Sequence, residues 1–356
     1  MLLQFELGVL ALVIGALAGV VLFVPFVAIS YRRRGGLSFW RFVAWAAALV
    51  YFWAIWTYTL LPLPDPDRIR CTTPNLDPLS FVRDIARAVA NPGNTLTDPL
   101  VLQLVLNVAL FLPLGFFVRV LAGRGVLVAT LVGFGVSLFV ETTQLTGVWG
   151  LYSCAYRVFD VVDLMTNTAG ALLGSLLAFA VPAQHRGMGR TLDADEPDPV
   201  TRGRRALVML CDAIGAGVIG AVAGIAVDLA LRVLGRGEGE ASARIVDLAG
   251  TLVPVAIWLV VILATGRSIG DLAVQLRYAG GRMPEAIARV LRFAGGIGGY
   301  LLLGLLPDPW DGLAFVFLVV TAVMFFATQK GRGLPGLLTG RRLVDARERT
   351  KEDAAA

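Results

Sequence analysis

Histidine is almost missing from this chain: His185 is the single copy in 356 residues. That removes histidine-based triads and histidine-rich metal sites from consideration, and His185 itself falls in a polar stretch where a solvated surface role is expected. Cysteine is scarce too, and three cysteines cannot build a disulfide scaffold. Charged residues make up only 16% of the chain, too few to coat a soluble surface. The sequence holds no P-loop, nucleophile elbow or zinc signature. It also lacks a basic helix interleaved with aromatics, so no nucleic acid is expected as a partner, and no cofactor or metal is called for.

What the chain has in abundance is apolar sequence, at 57% hydrophobic residues and a mean hydropathy of +0.74. This composition belongs to an integral membrane protein. The fold class expected is all-α: a polytopic helical membrane protein of about nine transmembrane helices in two bundles. The spans are read at 7–29, 42–61, 100–121, 126–147, 158–181, 206–230, 245–265, 287–306 and 312–328, each long enough for about 30 Å of hydrocarbon or close to it. The eighth is interrupted at its start by Arg289 and Arg292 and is rich in glycine. The first run carries Glu6, lacks a cationic leading segment and is too long for a signal-peptide core, which makes it a retained span. Most Lys and Arg fall in alternate loops, beginning with Arg32, Arg33 and Arg34, so the positive-inside rule sets the N-terminus outside and the C-terminus inside. Basic inner loops beside anionic lipid account for the net charge of +5.

Four regions are expected: a five-span membrane domain at 1–182, a flexible cytoplasmic linker at 183–203, a four-span membrane domain at 204–345 and a disordered tail at 346–356. The acidic, proline-containing LDADEPDP marks the linker. Prolines from Pro62 to Pro99 make the longest outer loop irregular, apart from a short helix over Ser80–Ala90. Cys71 and Cys154 both fall in outer loops, where an oxidising compartment would let them pair. Cys211 lies within a span and reads as a small packing residue.

Chemistry concentrates in Arg157–Gly174, RVFDVVDLMTNTAGALLG. At about 100° per residue, Arg157, Asp160, Asp163, Asn167, Thr168, Gly170 and Gly174 share a helical face roughly 160° wide. Lipid would not tolerate such a face, since an ionised side chain at the bilayer centre costs about 2.5–3.5 kcal/mol on insertion scales. Asn107 in the third span and Glu141 and Gln144 near the end of the fourth are expected to meet it in the outer half of the bilayer. A structural polar seam and a binding or reaction site are the two readings of that cluster.

The ordered motifs N-x3-F-x-P-x-G at Asn107–Gly115, E-x2-Q at Glu141–Gln144 and R-x2-D-x2-D-x3-N-T-x-G-x3-G at Arg157–Gly174 resemble the VanZ family, as do LLPLP at 60–64 and NLDPLSF at 75–81. The resemblance implies a multi-pass protein of the bacterial cytoplasmic membrane, with links in that family to resistance against glycopeptides such as teicoplanin. In the second domain, Arg205 and Asp212 stand two helical turns apart, and Gly266–Arg277 with Arg332–Val344 resembles the loop and closing segment of the RDD family. Ser268, Ile269, Gly270 and Asp271 replace that family's usual loop core, and Gly336 stands where its second aspartate is expected.

Three functions follow as expectations. The first is binding of a membrane lipid or lipid-linked wall precursor at the outer face, with a glycopeptide as a further partner. In it Arg157 engages an anionic head group, Asp160 and Asp163 orient Arg157 or accept from sugar hydroxyls, and Asn107, Gln144, Asn167 and Thr168 add neutral hydrogen bonds. The second is an intramembrane enzyme using Glu141, Asp160 or Asp163 on such a lipid. The third is an ion or solute transporter coupled through Arg205 and Asp212.

Overall fold

The computed structural model describes residues 2–65, 69–90, 98–307, 309–310 and 312–348. The tail expected to be disordered lies outside them from residue 349 onward, as do residues 66–68 and 91–97 of the proline-rich loop that was expected to face outward. The chain divides into two compact units, Met1–Gly19 with Ser38–Gly189, and Val20–Leu37 with Arg190–Ala356.

The first unit holds the start of α1 (Leu2–Arg34), then α2 (Phe39–Leu60), α3 (Ser80–Ala90), α4 (Pro99–Val120), α5 (Val126–Leu145), a single left-handed turn α6 (Gly147–Gly150) and α7 (Val161–Leu177). The second holds the rest of α1, α8 (Arg202–Val233), α9 (Glu240–Thr265), α10 (Ile269–Val274), β1 (Leu276–Ala279), α11 (Glu285–Ala294), α12 (Ile297–Leu303), α13 (Gly312–Ala327), α14 (Gly333–Thr339) and β2 (Arg342–Asp345). Among the described residues, seven helices are long and apolar enough to cross a membrane: α1, α2, α4, α5, α7, α8 and α9. The pair α11 and α12 makes an eighth if taken as one span bent by 51°. This is a multi-pass helical membrane protein.

Helix ends follow local chemistry. Asp98 caps α4 by accepting from the Leu100 N–H at 2.9 Å, with Pro99 at the first helical position, where its missing N–H matters least. Gly35, at φ +74°, takes the left-handed conformation that terminates α1 after Arg34. The expected eighth span breaks where Gly295 ends α11 and Gly296 starts α12, because adjacent glycines give the helix no side chain to hold it straight. The expected ninth is the 16-residue α13, about 24 Å long at 1.5 Å per residue.

The all-α class holds, with one small addition: β1 and β2 pair antiparallel, from Leu276 opposite Asp345 to Ala279 opposite Arg342. Each strand follows a short helix ending in a left-handed residue, Gln275 after α10 and Gly340 after α14, which turns the chain from helix into extended backbone. The linker expected to be flexible is held in place beyond Arg190. Ala194 and Val200 are buried, the Thr191 N–H donates to Arg33 O at 2.8 Å, and the Asp198 N–H donates to the Asp345 carboxylate at 3.1 Å.

Candidate functional site

Three helices of the first unit carry polar residues and glycines at helical spacings of three, four or eight residues, and those stripes meet. On α5 they are Gly133, Ser137, Glu141 and Gln144, all buried. On α7 they are Asp163, Asn167, Gly170 and Gly174, and on α4 they are Gln103, Asn107, Gly115 and Arg119. The glycines set the distance. A Cβ on Gly174 would come within 1.8 Å of Leu112 O, and one on Gly115 within 1.8 Å of Ala171 O, so α4 and α7 touch backbone to backbone. Such contacts are how membrane helices associate without a hydrophobic driving force between them. Gly170 and Gly174, counted above on the polar face, are therefore packing residues.

That close approach brings the polar groups into register. Asn107 Nδ2 donates to Asp163 Oδ1 at 2.7 Å, and Gln103 Nε2, one turn earlier, donates to the same oxygen at 3.3 Å. Deeper along the same face, Asn167 Nδ2 donates to Ser137 Oγ at 2.9 Å, while Asn167 Oδ1 is buried with no hydrogen-bond partner. At the far end Arg119 donates to Ser175 O at 3.3 Å, with its guanidinium 3.7 Å from the Phe179 ring centroid. Pro113 interrupts the ladder of α4, and in that turn the Tyr51 hydroxyl donates to Leu110 O at 2.6 Å.

The start of α7 differs from the continuous helix expected from residue 158. Helix begins only at Val161, and Asp160 is an extended N-cap whose Oδ1 accepts from the Val162 N–H at 2.8 Å. Two contacts hold the preceding backbone extended. Asn75 pairs with Asp160 as an isolated parallel bridge, and the Asp160 N–H donates to Glu141 Oε2 at 3.1 Å. Asn75 Nδ2 also donates to Asp160 Oδ2 at 3.1 Å. Glu141, Asp160 and Asp163 are thus gathered from two helices and fastened by side-chain amides from α4 and from the loop before α3 and by the Asp160 backbone amide.

Arg157 falls before the helix and leaves the face assigned to it. Its guanidinium donates to Thr59 O at 2.8 Å and Leu61 O at 3.2 Å, the carbonyls that close α2. Gln144 donates to Thr59 O at 2.7 Å as well. A cation at a helix C-terminus complements the negative end of the dipole, typically by 0.3–1 kcal/mol when exposed, so Arg157 works as a clamp on α2. Thr168 turns back onto its own helix, donating to Leu164 O at 2.6 Å, and does not join the acids.

Cys71 and Cys154 form a disulfide across 83 residues of sequence. It ties the loop that carries Asn75 to the loop that leads into Asp160. The Thr72 N–H donates to Ala155 O at 3.0 Å and the Asn75 N–H to Phe159 O at 2.8 Å, so the two segments run as a zipper beside the acids. Sequence reasoning missed Asn75, Gln103 and Ser137. The signal for the last two was present, since each stands four residues before a residue that was picked out, Asn107 and Glu141.

In the second unit Arg205 and Asp212 share a helix but are not an ion pair. Arg205 Nη1 donates to Asp271 Oδ1 at 3.3 Å, while Asp212 Oδ1 accepts from Trp258 Nε1 at 2.9 Å and from the Gly270 N–H at 2.7 Å. Seven residues along a helix separate them by about 10 Å, too far for direct contact between these side chains in this geometry. Asp271, fully buried, also pairs with Arg292 and closes a capping box with Ser268. At Gly336 an added Cβ would stand 3.0 Å from both Tyr278 Cε1 and Arg332 Cβ. A second cluster was not foreseen. Arg204 donates to Asp345 Oδ2 at 2.9 Å and Arg347 forks onto both oxygens of the same carboxylate at 2.9 and 2.7 Å.

Residues 48–182 match the VanZ/LLP1 family. That segment contains every residue of the acid and amide cluster and lies wholly within the first unit, ending before Arg190. No curated protein and no solved structure matches the chain.

Proposed function

We propose that the first unit binds a cell-envelope lipid, or a lipid-linked wall precursor, through the acids at the head of α7, and that in the bacterial cytoplasmic membrane this binding lowers the action of glycopeptides such as teicoplanin. The observation that carries the reading is the convergence of Glu141, Asp160 and Asp163 with Asn75, Gln103 and Asn107 next to a disulfide. Carboxylates and amides side by side suit the hydroxyls of a sugar head group, for which they offer both acceptors and donors. The disulfide supports an outward-facing position, because such bonds persist in oxidising compartments. Arg157 in this reading holds α2 against the site and leaves the ligand to the acids.

The test is resistance. Asp163→Ala and Glu141→Ala should bring the protective concentration of teicoplanin down to that of cells without the protein, while the protein still accumulates in the membrane. Full protection in both variants would remove the acids from the function.

For the second unit the likeness to the RDD family, carried by Arg205, Asp212 and the segments Gly266–Arg277 and Arg332–Val344, supports ion or solute exchange as a separate reading. Proton flux in proteoliposomes that disappears in Asp212→Asn favours it, and unchanged flux in that variant removes it.

A further inference from the structure

The second unit encloses a cavity of about 400 Å³, within the roughly 300–1,000 Å³ typical of small-molecule sites. Its wall is mainly apolar, including Met209, Tyr300 and Phe317, but Arg205, Arg292 and Thr321 also line it. Both arginines are more than nine-tenths buried. Buried charge of this kind normally uses every hydrogen bond available to it, and here it does not. Arg292 Nε and Nη1, Arg205 Nε and Thr321 Oγ1 are buried without a partner.

The sign of the missing partner follows from the inventory. The unmet nitrogens are all donors, and a hydroxyl can donate too. One carboxylate, Asp271, serves both guanidiniums, and the other carboxylate in the wall, Asp212, has one oxygen taken by Trp258 and Gly270. The Tyr278 ring, with its centroid 4.3 Å from the Arg292 guanidinium carbon and 5.7 Å from that of Arg205, fixes both planes in place. What is lacking is a hydrogen-bond acceptor within reach of two guanidiniums. We propose that this cavity binds a single-chain amphiphile with a compact anionic head, a phosphomonoester or carboxylate, the head taken by Arg292 and Arg205 and the chain lying along the apolar wall. Planar forked donors suit such heads better than a point charge does.

Titration calorimetry of the purified full-length protein in a neutral maltoside detergent tests this with three probes: lysophosphatidate, a monoacylglycerol of the same chain, and inorganic phosphate. Lysophosphatidate should bind saturably and at least about tenfold more tightly than either of the others, the factor that one charge-assisted hydrogen bond supplies. Equal binding of the monoacylglycerol overturns the role of the arginines, and equal binding of phosphate overturns that of the apolar wall. These comparisons use the unaltered protein, so they stand even if a variant fails to fold. Arg292→Gln should weaken lysophosphatidate by about tenfold, Arg292→Lys by less, and Met209→Trp should weaken it by filling the chamber. Unchanged affinity in both Arg292→Gln and Met209→Trp overturns the proposal. Asp163→Ala, in the other unit, should leave lysophosphatidate binding as it is, which keeps this test apart from that of the first unit.

Discussion

A single carboxylate can organise a whole corner of a protein, and Asp345 does so. Burial alone would raise its pKa, but the forked Arg347 side chain, the Arg347 backbone and Arg204 outweigh burial and hold it at about 2 against an ordinary 3.8. A depressed carboxylate stabilises the fold above its unfolded pKa and loses that contribution as pH falls through the folded value. The difference in unfolding temperature between the unaltered protein and Asp345→Asn should therefore stay constant above pH 4 and shrink toward zero by about pH 2. A difference independent of pH would mean that the ion pairs do not stabilise the ribbon. None of this was legible beforehand, because Arg204 lies 141 positions from Asp345 and neither strand has an alternating pattern to announce itself. Arg157 was misplaced for a related reason. A helical wheel assumes helix, and the Asn75 bridge that keeps Asp160 extended, so that helix starts only after it, is contributed by a residue more than eighty positions away.

Between elements, the decisive contact is the crossing of α4 and α7. Nothing in it can yield, since the atoms that a Cβ on Gly174 would meet are backbone. Gly174→Ala should destabilise the first unit by at least the 1–3 kcal/mol typical of overpacking, read as a lower unfolding temperature in detergent. Gly135→Ala on α5, where nothing beyond the helix's own backbone and the adjacent residues lies within 4 Å of the added carbon, should be neutral or slightly stabilising through helix propensity. Equal effects at the two sites would mean that the crossing is looser than described. At this scale the sequence was informative. Long apolar runs announced α1, α2, α4, α5, α8 and α9, and the helix over Ser80–Ala90 is found with those bounds. Glycines were harder to read, because the same residue breaks α11 from α12 and brings α4 against α7, and only the partner surface decides which.

For the whole molecule, membrane class follows from composition and is embodied in the seven long apolar helices. Outward-facing Leu, Val and Phe on those helices, such as Leu127 at 71% exposure and Leu17 at 62%, have no aqueous role and suit contact with lipid. Into this apolar setting the first unit brings three acids fastened by amides, and that contrast underlies the proposed ligand. The most direct measurement is native mass spectrometry of the purified protein with a lipid-linked disaccharide wall precursor, in the unaltered chain and in Asp163→Ala. Bound precursor should survive in the former and be lost in the latter. Equal retention by both, or retention by neither, would contradict the proposed binding.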